Sequence, residues 1–294
     1  MPALQIGPKT FEWGARTVVM GILNLTPDSF SGDGLWSAPG AEVLQAALEQ
    51  AARFLAAGAE ILDLGGESTR PGAQEVTEAE ELTRVIPVIR ALAGEFPEAV
   101  ISVDTYKAQV AFDALQAGAH LVNDVWGLRA DPRLAGVVAA AGAPVVLMHN
   151  RSKPANARVQ TNLGGRYVGM EYTDLLADVK AELLESVALA QQAGIAPEKI
   201  ILDPGIGFGK TVEQNLELLN RLDEIRALSF PVLLGPSRKS FIGYTLNLPP
   251  DQRLEGTAAA VSVGIVRGAD LVRVHDVEMM VRVARMTDAI VRRA

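Results

Sequence analysis

Ala117-Gly118-Ala119-His120-Leu121-Val122-Asn123-Asp124 reads as the end of a helix, a tight turn and a short buried strand that finishes in polar groups. Glycine closes a helix in the left-handed conformation, after which the chain can enter a sheet. The same device recurs at Ala57-Gly58-Ala59, Ala141-Gly142-Ala143 and Arg267-Gly268-Ala269, each just ahead of a run of Val, Ile and Leu. Working outward from these junctions gives strands over 17–23, 60–64, 100–104, 120–124, 144–149, 199–203, 231–234 and 270–274. None alternates strictly, as expected of strands covered on both faces. Amphipathic stretches such as 41–57 and 174–193 lie between them, and the pattern totals eight strands and eight helices. The fold class is α/β, and the repeated junction predicts one (βα)8 TIM barrel domain over 1–294, with the glycines on its stability face. An open doubly wound sheet is the alternative built from the same alternation. Residues 1–16 precede the first strand, and Ile6 and Phe11, flanking Gly7-Pro8, predict a short β-hairpin that closes the barrel bottom.

Composition agrees with a globular chain: of 294 residues, 49% are hydrophobic and 21% charged. With 0 Cys, disulfides, thiolate nucleophiles and Cys-based metal sites are excluded. The net charge of −8, without a long basic run, argues against a general nucleic-acid binder but leaves room for a local cationic pocket. Residues 1–13 lack the charged and apolar regions of a secretory signal. The longest uncharged stretch, 134–148, is about 15 residues, short of the roughly 20 that cross a bilayer. A cytoplasmic, soluble protein with no membrane partner is expected.

In such a barrel, residues at the carboxyl ends of the strands face the active site. Here they are Asn24, Asp63, Asp104, Asn123 with Asp124, His149, Asp203, Ser237 to Lys239, and Arg273 with His275. Any one of them could simply cap the next helix. A whole ring of carboxylates and amides suits instead a flat polar ligand rich in N–H donors and ring acceptors. Three tempting motifs fail. Pro204-Gly205-Ile206-Gly207-Phe208-Gly209-Lys210-Thr211 ends like a Walker A loop, but Pro204 stands at its first glycine, and Lys210 stands at the third glycine of a dinucleotide fingerprint. Gly235-Pro236-Ser237-Arg238-Lys239 lacks the second glycine of a nucleophile elbow. With 3 His and no H-E-x-x-H, a structural zinc site is not expected. The loops after the first two strands, 24–34 and 65–72, mix glycine with hydroxyls and, in the second, Arg70. They read either as connectors or as a pair of lids over a reacting anionic group.

These residues carry a family signature. The chain resembles the dihydropteroate synthases in Met20-Gly21-Ile22-Leu23-Asn24-Leu25-Thr26-Pro27-Asp28-Ser29-Phe30, in 66–72, and in Ser102-Val103-Asp104-Thr105. Val122-Asn123-Asp124, Leu147-Met148-His149, 202–209, Ser237-Arg238-Lys239-Ser240 and Arg273-Val274-His275-Asp276 extend the match in order along the chain. The resemblance implies condensation of (7,8-dihydropterin-6-yl)methyl diphosphate with 4-aminobenzoate, giving dihydropteroate and diphosphate. It also implies the site. Asp104, Asn123, Asp203 and Lys239 match the family's pterin residues, and Met148 and Phe208 the apolar lining. Asn24, Thr69, Arg70, Arg273 and His275 match the diphosphate group, with Asn24 the ligand of a Mg²⁺ cofactor. Phe30, Pro71, Lys239 and Ser240 match the aminobenzoate pocket. The catalytic set is Asn24, Thr69, Arg70, Asp104 and Lys239.

The chemistry of the side chains agrees. A carboxylate such as Asp203 can accept two hydrogen bonds from the pterin's amino group and ring N–H, and Asn123 can both donate and accept. Guanidinium forks fit phosphate oxygens better than an ammonium, and Mg²⁺ tolerates one neutral protein ligand because it keeps waters and takes phosphate oxygens. Ser240 should open the helix after strand seven, where backbone N–H groups favour a carboxylate. A dissociative route follows, in which diphosphate leaves before the weak amine attacks. The resemblance further implies a homodimer through outer helices late in the barrel. Residues 150–169 fit no period and are expected to be a surface loop without regular structure. Two rivals use the same pterin residues: a methyltetrahydrofolate:corrinoid methyltransferase and a catalytically silent pterin-binding scaffold. Neither needs Arg70, the Ser-Arg-Lys-Ser block and Arg-Val-His together.

Overall fold

The computed structural model describes residues 1–26, 41–68, 75–160, 162–168 and 170–292. The chain opens with β1 (Leu4–Ile6) and β2 (Lys9–Phe11), then runs β3 (Val18–Asn24), α1 (Ala41–Ala57), β4 (Ile61–Gly65) and α2 (Glu78–Glu95). It continues through β5 (Val100–Asp104), α3 (Ala108–Ala117), β6 (Leu121–Asp124), α4 (Leu134–Ala141) and β7 (Val145–Met148). After β8 (Ala157–Gln160) and β9 (Gly164–Tyr167) come α5 (Leu175–Gln192), β10 (Ile200–Asp203), α6 (Val212–Asn220) and α7 (Asp223–Arg226). The last elements are β11 (Leu233–Leu234), α8 (Ser240–Leu246), α9 (Leu254–Val266), β12 (Leu271–Val274) and α10 (Val277–Val291).

Eight of the strands form one parallel sheet in the order β10-β7-β6-β5-β4-β3-β12-β11. A bridge between Leu202 and Val232, with Leu202 N–H donating to the Pro231 carbonyl at 2.9 Å, brings its two edges together. The result is the TIM barrel, closed by a seam thinner than its other joints. The junction glycines behave as their sequence requires: Gly58, Gly118, Gly142 and Gly268 all have φ between 62° and 114°, a region that penalises any Cβ.

Period-two alternation divides each strand between two cores. Met20, Ile61, Val100, Leu121, Val146, Ile201, Leu233 and Leu271, one from each barrel strand, fill the inside at the bottom. Leu4, Ile6 and Phe11 of the hairpin seal that layer from below, and Trp13 stacks on Phe11 at 5.8 Å. Leu62, Ile101, Val122, Leu147, Leu202 and Val272 point outward into the core shared with the helices. Two residues further along the strands the inward position recurs, and there the chain carries Asp63, Ser102, Asn123, Met148, Asp203 and Arg273, with Asp104 a further two residues along β5.

Two expectations are corrected. Among the described residues there are ten α-helices rather than eight. α7 adds a single turn after α6, and β11 is followed by both α8 and α9. α8 ends at Asn247 in the left-handed conformation (φ 57°), and Pro249-Pro250 bar any continuation. Within 150–169, β8 and β9 pair as an antiparallel hairpin. Arg253, itself buried, donates to the Leu163 carbonyl at 2.9 Å, and Tyr244 Oη donates to the Gly164 carbonyl at 3.2 Å. Partners some 80 to 90 residues away hold this hairpin, so no local period announces it.

Candidate active site

The inward positions above the apolar floor converge at the mouth. Asp63, fully buried, is the hub of one cluster: its Oδ2 accepts from Asn123 Nδ2 at 3.1 Å and from Arg273 Nε at 2.6 Å. Arg273 spans onward, a terminal nitrogen donating to Asp104 Oδ2 at 2.7 Å. Its guanidinium thus bridges two carboxylates that come from adjacent strands, β4 and β5. Burial pushes the Asp104 carboxyl up to about 7, against the opposing pull of Arg273. Asp63 Oδ1 is buried without a hydrogen-bond partner, an acceptor left over at the heart of the site.

A second cluster faces it. Asp203 Oδ1 accepts from Gly205 N–H at 2.7 Å, and burial raises its carboxyl above the ordinary range. Lys239 Nζ donates to the Ile206 carbonyl and lies 4.4 Å above the Phe208 ring. Burial pushes the Lys239 ammonium down to about 8 even though Asp203 favours its charge. Gly207 has φ +84°, and a Cβ there would lie 2.7 Å from Lys239 Cδ, so only glycine lets the lysine stem cross the loop. Gly235 joins the clusters: its Cβ position is 3.8 Å from Arg273 Cβ and 3.9 Å from Lys239 Nζ.

Around this centre, Asn24 ends β3 in register with Gly65 of β4. His275 N–H donates to Ser237 Oγ at 3.1 Å, and its Nδ1 lies 3.0 Å from the same oxygen. Ser240 is the first residue of α8, as its sequence context predicts. Met148 is buried at the end of β7. Other strand-end groups turn away. Asp124 accepts the Trp126 and Leu128 N–H groups at 2.8 and 2.5 Å, the capping reading that any strand-end carboxylate invites. Arg238 pairs with Asp276. Phe30, Thr69, Arg70 and Pro71 lie outside the described residues.

The sequence places Asp63 at the active-site face but gives it no role, and it leaves Lys210 outside the site. Asp63 was one more polar strand end, yet its place two residues after inward-facing Ile61 marks it as inward too. Lys210 entered only as the residue that broke a dinucleotide motif. It is 2% exposed and wholly enclosed by polar partners.

Carboxylates, an amide and partly buried cations around the carboxyl ends of the strands make a binding site for a flat, hydrogen-bonding ring that carries an anionic arm. Comparison with known proteins assigns the class: the chain belongs to the pterin-binding enzyme family, whose sequence model matches residues 20–275. Dihydropteroate synthase from Clostridium beijerinckii is 47% identical over 99% of this chain and 100% of its own. The solved dihydropteroate synthase of Clostridium difficile, determined in the presence of pteroic acid, superposes with a TM-score of 0.85 at 48% identity, covering 96% of this chain and 100% of that one. The Yersinia pestis synthase with a sulfonamide drug gives 0.88 at 42% identity, over 98% and 99% of the two chains. The activity is therefore that of the dihydropteroate synthases, a transferase reaction of folate biosynthesis in which a dihydropterinylmethyl group is joined to 4-aminobenzoate.

Proposed function

We propose that the two clusters divide the labour of this reaction between ring and leaving group. Asp203, with one oxygen committed to Gly205, turns the other to the pterin's amino and ring N–H donors, and Asn123, held by Asp63, reads the adjoining edge. Lys239 donates to the ring's carbonyl or a ring nitrogen, while Met148 and Phe208 flank the ring plane. Asp104 lies near the methylene, where its negative charge opposes the positive charge that develops as the carbon–oxygen bond breaks. Arg273 keeps N–H donors beyond the two taken by Asp63 and Asp104, and with His275, Asn24, Thr69 and Arg70 it receives the diphosphate. The observation that carries this reading is the convergence of Asn123, Arg273 and Asp104 about the buried Asp63 carboxylate, which fixes ring reader and phosphate cation in one frame.

The donor set also fits Mg²⁺. No group of three or more His, Asp or Glu able to hold a metal occurs among the described residues, and Asn24 offers one neutral oxygen. That suits an ion which draws its remaining ligands from water and diphosphate. Held there by Asn24, Mg²⁺ would supply charge neutralisation of the leaving diphosphate. The aminobenzoate carboxylate takes the backbone N–H groups at Ser240, its ring lying between Phe30 and Pro71, with Lys239 shared between both substrates. The amine needs positioning more than a strong base.

On this route the carbon–oxygen bond breaks before the amine attacks. Dihydropterin diphosphate labelled with ¹⁸O in the bridging position tests it: with enzyme and Mg²⁺ but no aminobenzoate, the label should scramble into non-bridging positions. Retention of the label through many turnover times refutes a dissociative step. Two further parts of the reading concern setting. The apolar side chains Val263 and Val266 of α9 and Met279, Met286 and Ile290 of α10 are 41–63% exposed, which supports a homodimer through these late helices. No helix among the described residues is long and apolar enough to cross a membrane, in keeping with a cytoplasmic enzyme.

A further inference from the structure

Lys210 is a lysine with 2% exposure, and the reaction as described gives it nothing to do. Burying an ammonium costs several kcal/mol unless every proton finds a partner. Here each does: Nζ lies 2.9 Å from His149 Nδ1, 3.0 Å from the Gly205 carbonyl and 3.1 Å from the Phe208 carbonyl. Three acceptors match the three donors of an ammonium, which offsets part of the burial that pushes Lys210 down to about 7. His149 is suited to accept. Burial and the neighbouring lysine push it down to about 4, so its ring is neutral near pH 7, and its Nε2 faces Glu182 at 3.2 Å.

The carbonyls that Lys210 gathers belong to one loop, 204–210, and the loop has little freedom otherwise. Gly205 sits at φ +71°, and a Cβ on it would fall 1.8 Å from the His149 carbonyl oxygen. Gly207 N–H donates to Asn215 Oδ1 at 2.6 Å, and Phe208 N–H to the Gly205 carbonyl at 3.1 Å. The same loop carries the Ile206 carbonyl that receives Lys239 and the Phe208 ring beneath its ammonium. An apolar residue at 210 could fill the space but would strip His149 Nδ1 and the Phe208 carbonyl of their lysine donor and leave the Gly205 carbonyl only the Phe208 N–H, so the loop loses what ties its two ends to His149.

The geometry points to Lys210 as a positioning residue for the pterin slot, acting through the 204–210 loop to set Phe208 and Lys239. The assignment rests on placing the pterin at Asp203, Asn123 and Lys239. Its consequence is a selective one: loosening the loop weakens the grip on the pterin first, while a pterin once bound still meets the same diphosphate groups.

Lys210→Met and the milder Lys210→Gln test it, with steady-state kinetics for both substrates, calorimetry with pteroic acid and a thermal melt. In Lys210→Met the KM for dihydropterin diphosphate and the Kd for pteroic acid should rise tenfold or more, about 1.4 kcal/mol. kcat at saturating substrates should fall by a smaller factor than the pterin KM rises. Lys210→Gln should fall between wild type and Met. A folded variant with unchanged pterin KM overturns the proposal, as does a fall in kcat with no change in KM. Failure of both variants to fold overturns it too, since Lys210 would then serve the core rather than the slot. Asp203→Asn, run alongside, separates the two levels. If it leaves pteroic acid binding intact, the pterin site itself is misplaced; if it weakens binding while Lys210→Met does not, only the role of Lys210 falls.

Discussion

Asp203→Asn is the sharpest probe of the pterin site, because the carboxylate's existing bond dictates what the amide must do. Asp203 Oδ1 accepts Gly205 N–H at 2.7 Å, which leaves the second oxygen for the ligand. Asparagine offers one oxygen and one NH₂ in the same shape. If the oxygen stays on Gly205, the NH₂ confronts the pterin's own N–H donors. If the amide turns over, the pterin is satisfied but the Gly205 N–H faces a donor. Either way one buried donor goes unmet, at a cost of about 1–3 kcal/mol. That corresponds to roughly 5- to 150-fold weaker binding of pteroic acid. Stability should hold, since burial already disfavours the carboxylate's charge and the substitution removes it. Calorimetry with pteroic acid near pH 7.5, alongside a thermal melt, measures both quantities. Affinity within twofold of wild type would show that no pterin donor meets Asp203, and the division of its two oxygens would be wrong.

Three other outcomes follow from the same geometry. Lys239, pushed down to about 8, loses its charge and one of its three N–H donors above that pH, so kcat/KM for the pterin substrate should decline above about pH 8, and a profile flat to pH 9.5 would contradict this. Asp104, raised to about 7, binds its proton more tightly folded than unfolded. Its contribution to stability is therefore full below about pH 4 and is lost as pH rises to 7. Urea melts at pH 5 and 7.5 should show that loss in wild type and a smaller one in Asp104→Asn; equal slopes would refute it. Met286→Asp combined with Ile290→Asp, on exposed positions of α10, should give a monomer by light scattering, and an unchanged dimer mass would move the interface elsewhere.

Much of the fold could be read because the chain repeats itself. Four helix-ending glycines and eight aliphatic runs each carry their message within about ten residues, and strand bounds fell within two residues of the ladders. β11 is the leanest case: of 231–234 only Leu233–Leu234 form a ladder, since Pro231 has no N–H to give. The β8–β9 hairpin was not legible for the opposite reason. Arg158, Val159 and Gln160 are exposed, so no alternation betrays the strand, and its anchors Tyr244 and Arg253 come much later. The site divides likewise. Its side chains could be named from strand ends, but their partnerships could not: Asp63 meets Arg273 across 210 positions, a pairing that only barrel closure creates. Lys210 hid because a buried lysine looks, in sequence, like any surface lysine.

The plug of Leu4, Ile6 and Phe11 has a consequence for the order in which the protein assembles itself. It seats against a ring whose last member, Leu271, lies on the final barrel strand to be made. At about 5–20 residues per second of synthesis, the plug leaves the ribosome roughly 15 to 50 s before that ring can close. Throughout that interval its apolar face has no destination in the native structure. A segment made ahead of the whole barrel is thus among the last to dock, and a nascent chain must carry it as exposed, sticky surface. Chaperone capture during translation should concentrate on this hairpin, and polar substitutions in it should improve the yield of stalled chains while lowering the stability of the finished barrel.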